Sequence, residues 1–202
     1  DDAGADALYA AIHAVARDLA HQVVRDGEGA SKFIEVVVTG AIGSGKSTAV
    51  RAALERLGWT APAGFSTHWN GADRGADVLW LETWSGEKRP LARRLAAPAP
   101  GQIPYELVAE FPEIAVASWA EAGAERPVVL DELGALEWAA PEFPAAVARL
   151  FRGPAPVLAV IQSRALERWL AAIGRERIDV LLELDPARRA DWQEEIAGFF
   201  RV

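Results

Sequence analysis

Apolar residues recur along this chain with two different periods, and their alternation predicts its elements. Leu8, Ile12, Val15, Leu19 and Val23 stand three and four residues apart, which places them on one stripe of a helix, with Arg17, Asp18 and Gln22 off it. The run breaks at Asp26-Gly27-Glu28-Gly29, where the glycines permit a sharp turn, and Phe33 to Val38 follows as a buried strand. A helix from Lys46 to Leu57 stops at Gly58. Trp59 to Gly101 reads as irregular and rich in Gly, Pro and Trp, with one strand at Val78 to Trp84.

Tyr105 to Ala122 reads as a helix bent near Pro112, because proline lacks the donor that a helix interior needs. Val128 to Asp131 is a short strand, followed by a helix from about Pro144 to Gly153, a strand at Val157 to Ile161 and a helix from Ala165 to Ile173. Ile178 to Leu184 is the last strand, and Asp185 and Pro186 read as the cap and first residue of a terminal helix. Strands that alternate with helices predict an α/β fold whose sheet is mostly parallel and flanked by helices. Residues 1–30 are expected to form a helical extension, and residues 31–202 one P-loop domain.

Composition narrows the class. With 51% hydrophobic and 25% charged residues, the 202-residue chain can bury one sizeable core. A net charge of −8 argues against nucleic acid, whose binders concentrate positive charge. Cysteine is absent, which excludes disulfides and thiolate metal sites, and His13, His21 and His68 are too scattered for zinc. No apolar run approaches the ~20 residues of a membrane span and no leader pattern opens the chain, so a soluble, cytoplasmic protein is expected. With no methionine and Asp1 in first place, translation is expected to have begun elsewhere.

Two segments carry chemistry. Gly40-Ala41-Ile42-Gly43-Ser44-Gly45-Lys46-Ser47, followed by Thr48, satisfies G-x-x-x-x-G-K-[ST] between a predicted strand and a predicted helix. Such glycines let successive backbone N–H groups curl around phosphate oxygens while the positive end of the helix favours the same charge. Lys46 is expected at the β- and γ-phosphates of ATP or GTP, and Ser47 on Mg²⁺. Val128-Val129-Leu130-Asp131-Glu132 is an apolar run that ends in two carboxylates at the edge of the sheet where ligands collect. Asp131 is the metal-site candidate and Glu132 the general base, since a hydrolase needs a carboxylate to deprotonate water.

From about Val36 onward, over roughly four-fifths of its length, the chain resembles the nucleoside-triphosphatase family first known from thermophiles, also called the cancer-related nucleoside triphosphatases. The resemblance rests on the phosphate loop, on Gly64-Phe65-Ser66-Thr67, on Asp131-Glu132-Leu133-Gly134-Ala135-Leu136-Glu137 matching that family's D-E-[IL]-G-x-[ML]-E, on a helix around Phe143, and on an arginine after the last strand. It implies a P-loop NTPase of the RecA-like three-layer type and Mg²⁺-dependent release of phosphate from ATP, GTP and other triphosphates. Of the arginines such relatives carry after the G-F-x-T segment, only Arg74 has a counterpart here. Arg189, within Asp185-Pro186-Ala187-Arg188-Arg189, is the implied phosphate or transition-state contact.

The first forty residues resemble a segment of the ornithine acetyltransferase family of arginine biosynthesis, from Ala20 to Val36 with Thr39-Gly40-Ala41 close behind, and Glu28 matches that family's substrate-site glutamate. The threonine nucleophile of that family has no counterpart here. The two resemblances meet at the strand before the phosphate loop, so residues 1–30 read either as a helix packed on the NTPase sheet or as a fused segment. Two other functions remain open: a P-loop kinase acting on a small acceptor, and a nucleotide-dependent switch whose output is a conformational change. Trp69, Trp84 and Trp138 could stack on a base or fill space, and Lys88, Arg89, Arg93 and Arg94 form a basic cluster of a solvated loop or helix face.

Overall fold

A computed structural model describes residues 34–69, 76–185 and 191–201. The expected N-terminal helix on Leu8 to Val23, Glu28, Arg74, Pro186, Arg188 and Arg189 lie outside the described residues.

Eight strands form one sheet in the order β5-β4-β3-β2-β6-β7-β1-β8. β1 (Glu35–Thr39), β2 (Ala63–Trp69), β6 (Val128–Leu133), β7 (Val157–Ile161) and β8 (Val180–Glu183) run parallel to one another. β3 (Val78–Thr83), β4 (Lys88–Arg94) and β5 (Tyr105–Leu107) continue from β2 as an antiparallel meander. The helices are α1 (Lys46–Leu57), α2 (Phe111–Ala117), α3 (Glu142–Leu150), α4 (Leu166–Ile173) and α5 (Trp192–Phe200). Among the described residues no helix is long and apolar enough to cross a membrane.

Val36 to Val38, Val128 to Leu130 and Val157 to Ile161 are unbroken apolar runs because both faces of the sheet are covered there. Side chains alternate between the faces. Val37, Val157, Ala159 and Ile161 face a core that includes Phe111, Phe143 and Trp169 from α2, α3 and α4. Val36, Val38, Leu158 and Val160 face a second core with Val50 and Leu54 of α1 and Trp192, Ile196 and Phe199 of α5. The result is the three-layer α/β arrangement that the strand and helix pattern predicts. α1 ends as expected at Gly58, whose left-handed backbone lets its N–H reach back to the last turn.

The structure departs from the expectation in two places. The region from Trp59 to Gly101 holds the expected strand as β3 but also β2 and β4 where irregular chain was expected, and the basic cluster lies on the strand β4 rather than on a loop or helix. Tyr105 to Ala122 is not a bent helix. Tyr105–Leu107 pairs with β4, and Pro112 falls in the first turn of α2, where its missing N–H costs no helical bond. The helix start expected at Asp185 and Pro186 runs into residues outside the described ones; within those described, α5 begins at Trp192 behind Asp191, and the Asp185 carbonyl accepts a bond from the Trp192 indole at 3.1 Å.

Candidate active site

The parallel strands end together along one edge of the sheet. Thr39 of β1 is level with Glu183 of β8, and Asp131 of β6 with Ser66 of β2 and Val160 of β7. The Thr39 hydroxyl donates to the Ile161 carbonyl at 2.8 Å, which ties β1 to β7 at the point where the chain leaves the sheet.

The loop from Gly40 to Ser47 then crosses this edge. A Cβ on Gly40, whose φ is +146°, would stand 2.9 Å from both the Leu184 carbonyl oxygen and the Ser44 hydroxyl, so this tight exit from the sheet requires glycine. Gly45 precedes α1 in the left-handed region. Helices commonly start with a side-chain oxygen that caps the free amides and with acidic residues in the first turn. α1 has neither. The first turn of α1 thus supplies no anion of its own to the positive end of the helix.

Lys46 is buried, at 7% exposure, and its Nζ donates to the carbonyls of Gly40 at 3.1 Å and Ala41 at 3.0 Å. The Ser47 hydroxyl donates to Asp131 Oδ1 at 2.9 Å. Asp131 is 2% exposed, and burial pushes its carboxyl up to about 6 against the pull of the Ser47 hydrogen bond, with Glu132 adding to the rise and Arg51 and Lys46 opposing it.

Glu132 sits differently. Against β7 the register of β6 slips between Asp131 and Leu133, which makes Glu132 the extra residue of a bulge, a device that re-aims a side chain. It is 28% exposed, with Oε2 4.0 Å from Lys46 Nζ, and its Oε1 accepts from Gln162 Nε2 at 2.6 Å. The Glu132 N–H donates to the Thr67 hydroxyl at 3.3 Å.

Lys46, Ser47, Thr67, Glu132 and Gln162 line a cleft of about 950 Å³ that runs from Gly40, Gly43 and Thr48 past Glu132 to Trp69, Leu79 and Tyr105. Glu137 also faces it. Burial pushes the Glu137 carboxyl up to about 7, although the Gly134 N–H donates to it at 2.9 Å.

The structure brings Lys46, Ser47, Asp131 and Glu132 together, and Arg189 lies outside the described residues. Ile42 stands at the exposed tip of the loop, at 69% exposure. Of the tryptophans singled out, Trp69 lines the cleft beside Tyr105, Trp84 donates to the Val129 carbonyl, and Trp138 packs on Trp169 under Arg168. The basic residues of β4 do not line the cleft. Gln162 was missed. Its one signal is that it follows the apolar run of β7, just as Asp131 closes the run of β6.

A glycine loop that feeds a helix N-terminus, set beside an acidic pair on the parallel strand one place beyond its neighbour, defines a P-loop nucleotide-binding protein. The chain belongs to the NTPase family, whose family model matches residues 35–197. Its fold is similar to the crystal structure of THEP1 from the hyperthermophile Aquifex aeolicus, with a TM-score of 0.68 and 24% identity over 84% of this chain and 100% of that one. The solution structure of a human cancer-related nucleoside triphosphatase is similar too, with a TM-score of 0.67 and 24% identity over 83% and 97%.

Short N-terminal segments match a different protein. The arginine biosynthesis bifunctional protein ArgJ of Zymomonas mobilis subsp. mobilis is 49% identical over 71 residues, 34% of this chain and 17% of that protein. ArgJ of Ruegeria pomeroyi is 61% identical over 41 residues, 20% of this chain and 10% of the relative. The chain thus spans only a small part of the curated relatives it matches.

Proposed function

We propose that this chain is a Mg²⁺-dependent nucleoside-triphosphate phosphohydrolase that acts on ATP, GTP and other triphosphates with loose base preference, and that it works in the cytoplasm. The observation that carries the reading is that Lys46 and Ser47 of α1 and Glu132 of β6 line one cleft, with Asp131 of β6 bonded to the Ser47 hydroxyl beside it.

The donor set fits both ligands. The Ser47 hydroxyl and the Asp131 carboxylate are oxygen donors 2.9 Å apart, the hard chemistry that Mg²⁺ takes. The Ser44 hydroxyl is buried without a hydrogen-bond partner among the described residues, a donor left over inside the phosphate loop. When bound, Mg²⁺ neutralises charge on the β- and γ-phosphates. The loop amides hold the triphosphate tail, and Lys46 exchanges its two loop carbonyls for phosphate oxygens. Glu132 takes a proton from the water that attacks the γ-phosphorus as the bond to the nucleoside diphosphate breaks, so that the products are the diphosphate and inorganic phosphate. Arg189 is the candidate for charge stabilisation in that step.

A kinase is the second reading, favoured by one observation: the cleft continues past Glu132 to Trp69 and Tyr105, which leaves room for an acceptor. Acetyl transfer is not proposed, because the matching segment is only 17% of the Zymomonas relative.

The test is phosphate release from ATP, GTP, CTP and UTP with and without Mg²⁺, in the intact chain and in Glu132→Gln. Hydrolysis without an added acceptor, lost in the variant while nucleotide still binds, supports the hydrolase. Phosphate release only when a small acceptor is consumed would establish the kinase instead.

A further inference from the structure

We propose, on the reading of Glu132 given above, that Gln162 is a positioning residue: its side-chain amide, seated against the bare face of Gly134, holds the Glu132 carboxylate in the orientation from which it takes the proton of water.

Glu132 occupies a bulge and keeps more than a quarter of its surface exposed, so its own backbone does not fix its rotamer. Two contacts do. One oxygen faces Lys46 at 4.0 Å, and the other accepts from Gln162 at 2.6 Å. Lys46 is the weaker anchor, since a bound phosphate competes for its ammonium group. Gln162 keeps its bond whichever ligand Lys46 serves.

The amide is itself aimed. The Gln162 N–H donates to the Leu133 carbonyl at 2.9 Å, and its own carbonyl accepts from the Ala165 N–H at 2.9 Å, so the backbone is held from both sides. Its Oε1 accepts from Arg164 Nε at 3.0 Å. An amide has one acceptor end and one donor end, so the arginine on the oxygen turns the NH₂ toward the carboxylate.

Gly134 supplies the seat. A Cβ built there would lie 2.8 Å from Gln162 Cδ and Nε2 and 2.9 Å from Oε1, closer than real contacts allow. Gly134 does not need a positive φ, so the constraint here is space rather than backbone conformation. Glycine therefore serves the amide three residues beyond Asp131, and the two positions form one device.

The experiment compares Gln162→Leu and Gly134→Ala in steady-state phosphate release from ATP with Mg²⁺, with ADP affinity and thermal melts as controls. Each variant lowers kcat about 10- to 100-fold with KM within about twofold, the size expected when a proton acceptor is present but poorly aimed. The double variant falls no further than Gln162→Leu alone, because the second change removes a contact already lost. Gln162→Asn, one methylene shorter, does not restore the rate. Should Gln162→Leu melt early, Gly134→Ala gives the same reading alone.

The assignment is overturned by Gln162→Leu with kcat within twofold of wild type, by a raised KM at constant kcat, which would place Gln162 on the nucleotide itself, or by losses that multiply in the double variant. Phosphate release that survives Glu132→Gln overturns the reading of Glu132, and Gln162 with it. Release abolished by Glu132→Gln but untouched by Gln162→Leu overturns only the role of Gln162.

Discussion

The Ser47 hydroxyl and the Asp131 carboxylate meet at 2.9 Å although 84 positions separate them in the chain. The contact joins the first turn of α1 to the end of β6, and it exists because β1 and β6 flank the same strand, β7. If the pair holds Mg²⁺, Asp131→Asn keeps an acceptor for the Ser47 hydroxyl but loses the charge. Mg²⁺ affinity, read from a titration of phosphate release, falls about 10- to 100-fold, as it does when a group supporting a metal is removed. An unchanged Mg²⁺ requirement would remove Asp131 from the metal site.

Lys46 gives the second prediction. Its ammonium group donates to two loop carbonyls and faces Glu132 Oε2 at 4.0 Å, and both hydrogen bonds lie within the loop proposed to bind phosphate. Lys46→Ala weakens the binding of a fluorescent ATP analogue by about 10- to 100-fold, the worth of one charged hydrogen bond, while the melting temperature changes little. Lys46→Arg does not restore affinity, because a planar fork cannot follow the path of a compact ammonium group through so narrow a loop. Full affinity in the alanine variant would contradict the phosphate assignment.

The parts legible in the sequence are those whose physics is local. Val36 to Val38, Val128 to Leu130 and Val157 to Ile161 declare themselves as strands because both faces are covered, and α1 declares its end at Gly58. The meander was hidden. In β4, Lys88, Arg89, Arg93 and Arg94 surround Pro90, a composition that argues against a strand. β5 pairs only with Ala92 to Arg94, so Pro90 lies where no neighbour on that side asks for its N–H. Tyr105 to Leu107 looked helical and became a strand because pairing with β4 outweighs local preference. Lys46, Ser47, Asp131 and Glu132 could be named from motif spacing. Gln162 could not, since its meaning depends on β7 lying beside β6, an adjacency set by topology.

Gly64 makes the third prediction, about the fold that carries the site. Its φ is +97°, and a Cβ would stand 2.3 Å from the Val129 carbonyl oxygen on the paired strand. Gly64→Ala must therefore strain the backbone and push β2 from β6. The cost is about 3 kcal/mol or more, read from the midpoint of urea unfolding at unchanged slope. Because β2 also carries Thr67, whose hydroxyl accepts from the Glu132 N–H, the folded variant also loses kcat. A stability within about 0.5 kcal/mol of wild type, the range of surface substitutions, would refute the close approach.

Glu137 ties the chemistry of the cleft to stability. Its carboxyl is buried and raised from an ordinary value of 4.5 to about 7, chiefly by desolvation, with Glu132 adding to the rise while the Gly134 amide and Arg164 oppose it. The unfolded chain ionises this group near pH 4.5, whereas the folded chain holds on to the proton until about pH 7. Folding stability from this group is thus complete below pH 4.5, declines as pH rises between the two values, and is lost above pH 7. Gln is neutral throughout. Glu137→Gln should therefore match wild type within about 1 kcal/mol at pH 5 and exceed it at pH 8 by on the order of 3 kcal/mol, the free-energy equivalent of the shift. Urea unfolding at the two pH values measures the difference. A gap between variant and wild type that stays constant with pH would mean that Glu137 is ionised in the folded protein at both, and its place beside Glu132 would then carry a full second charge into the cleft.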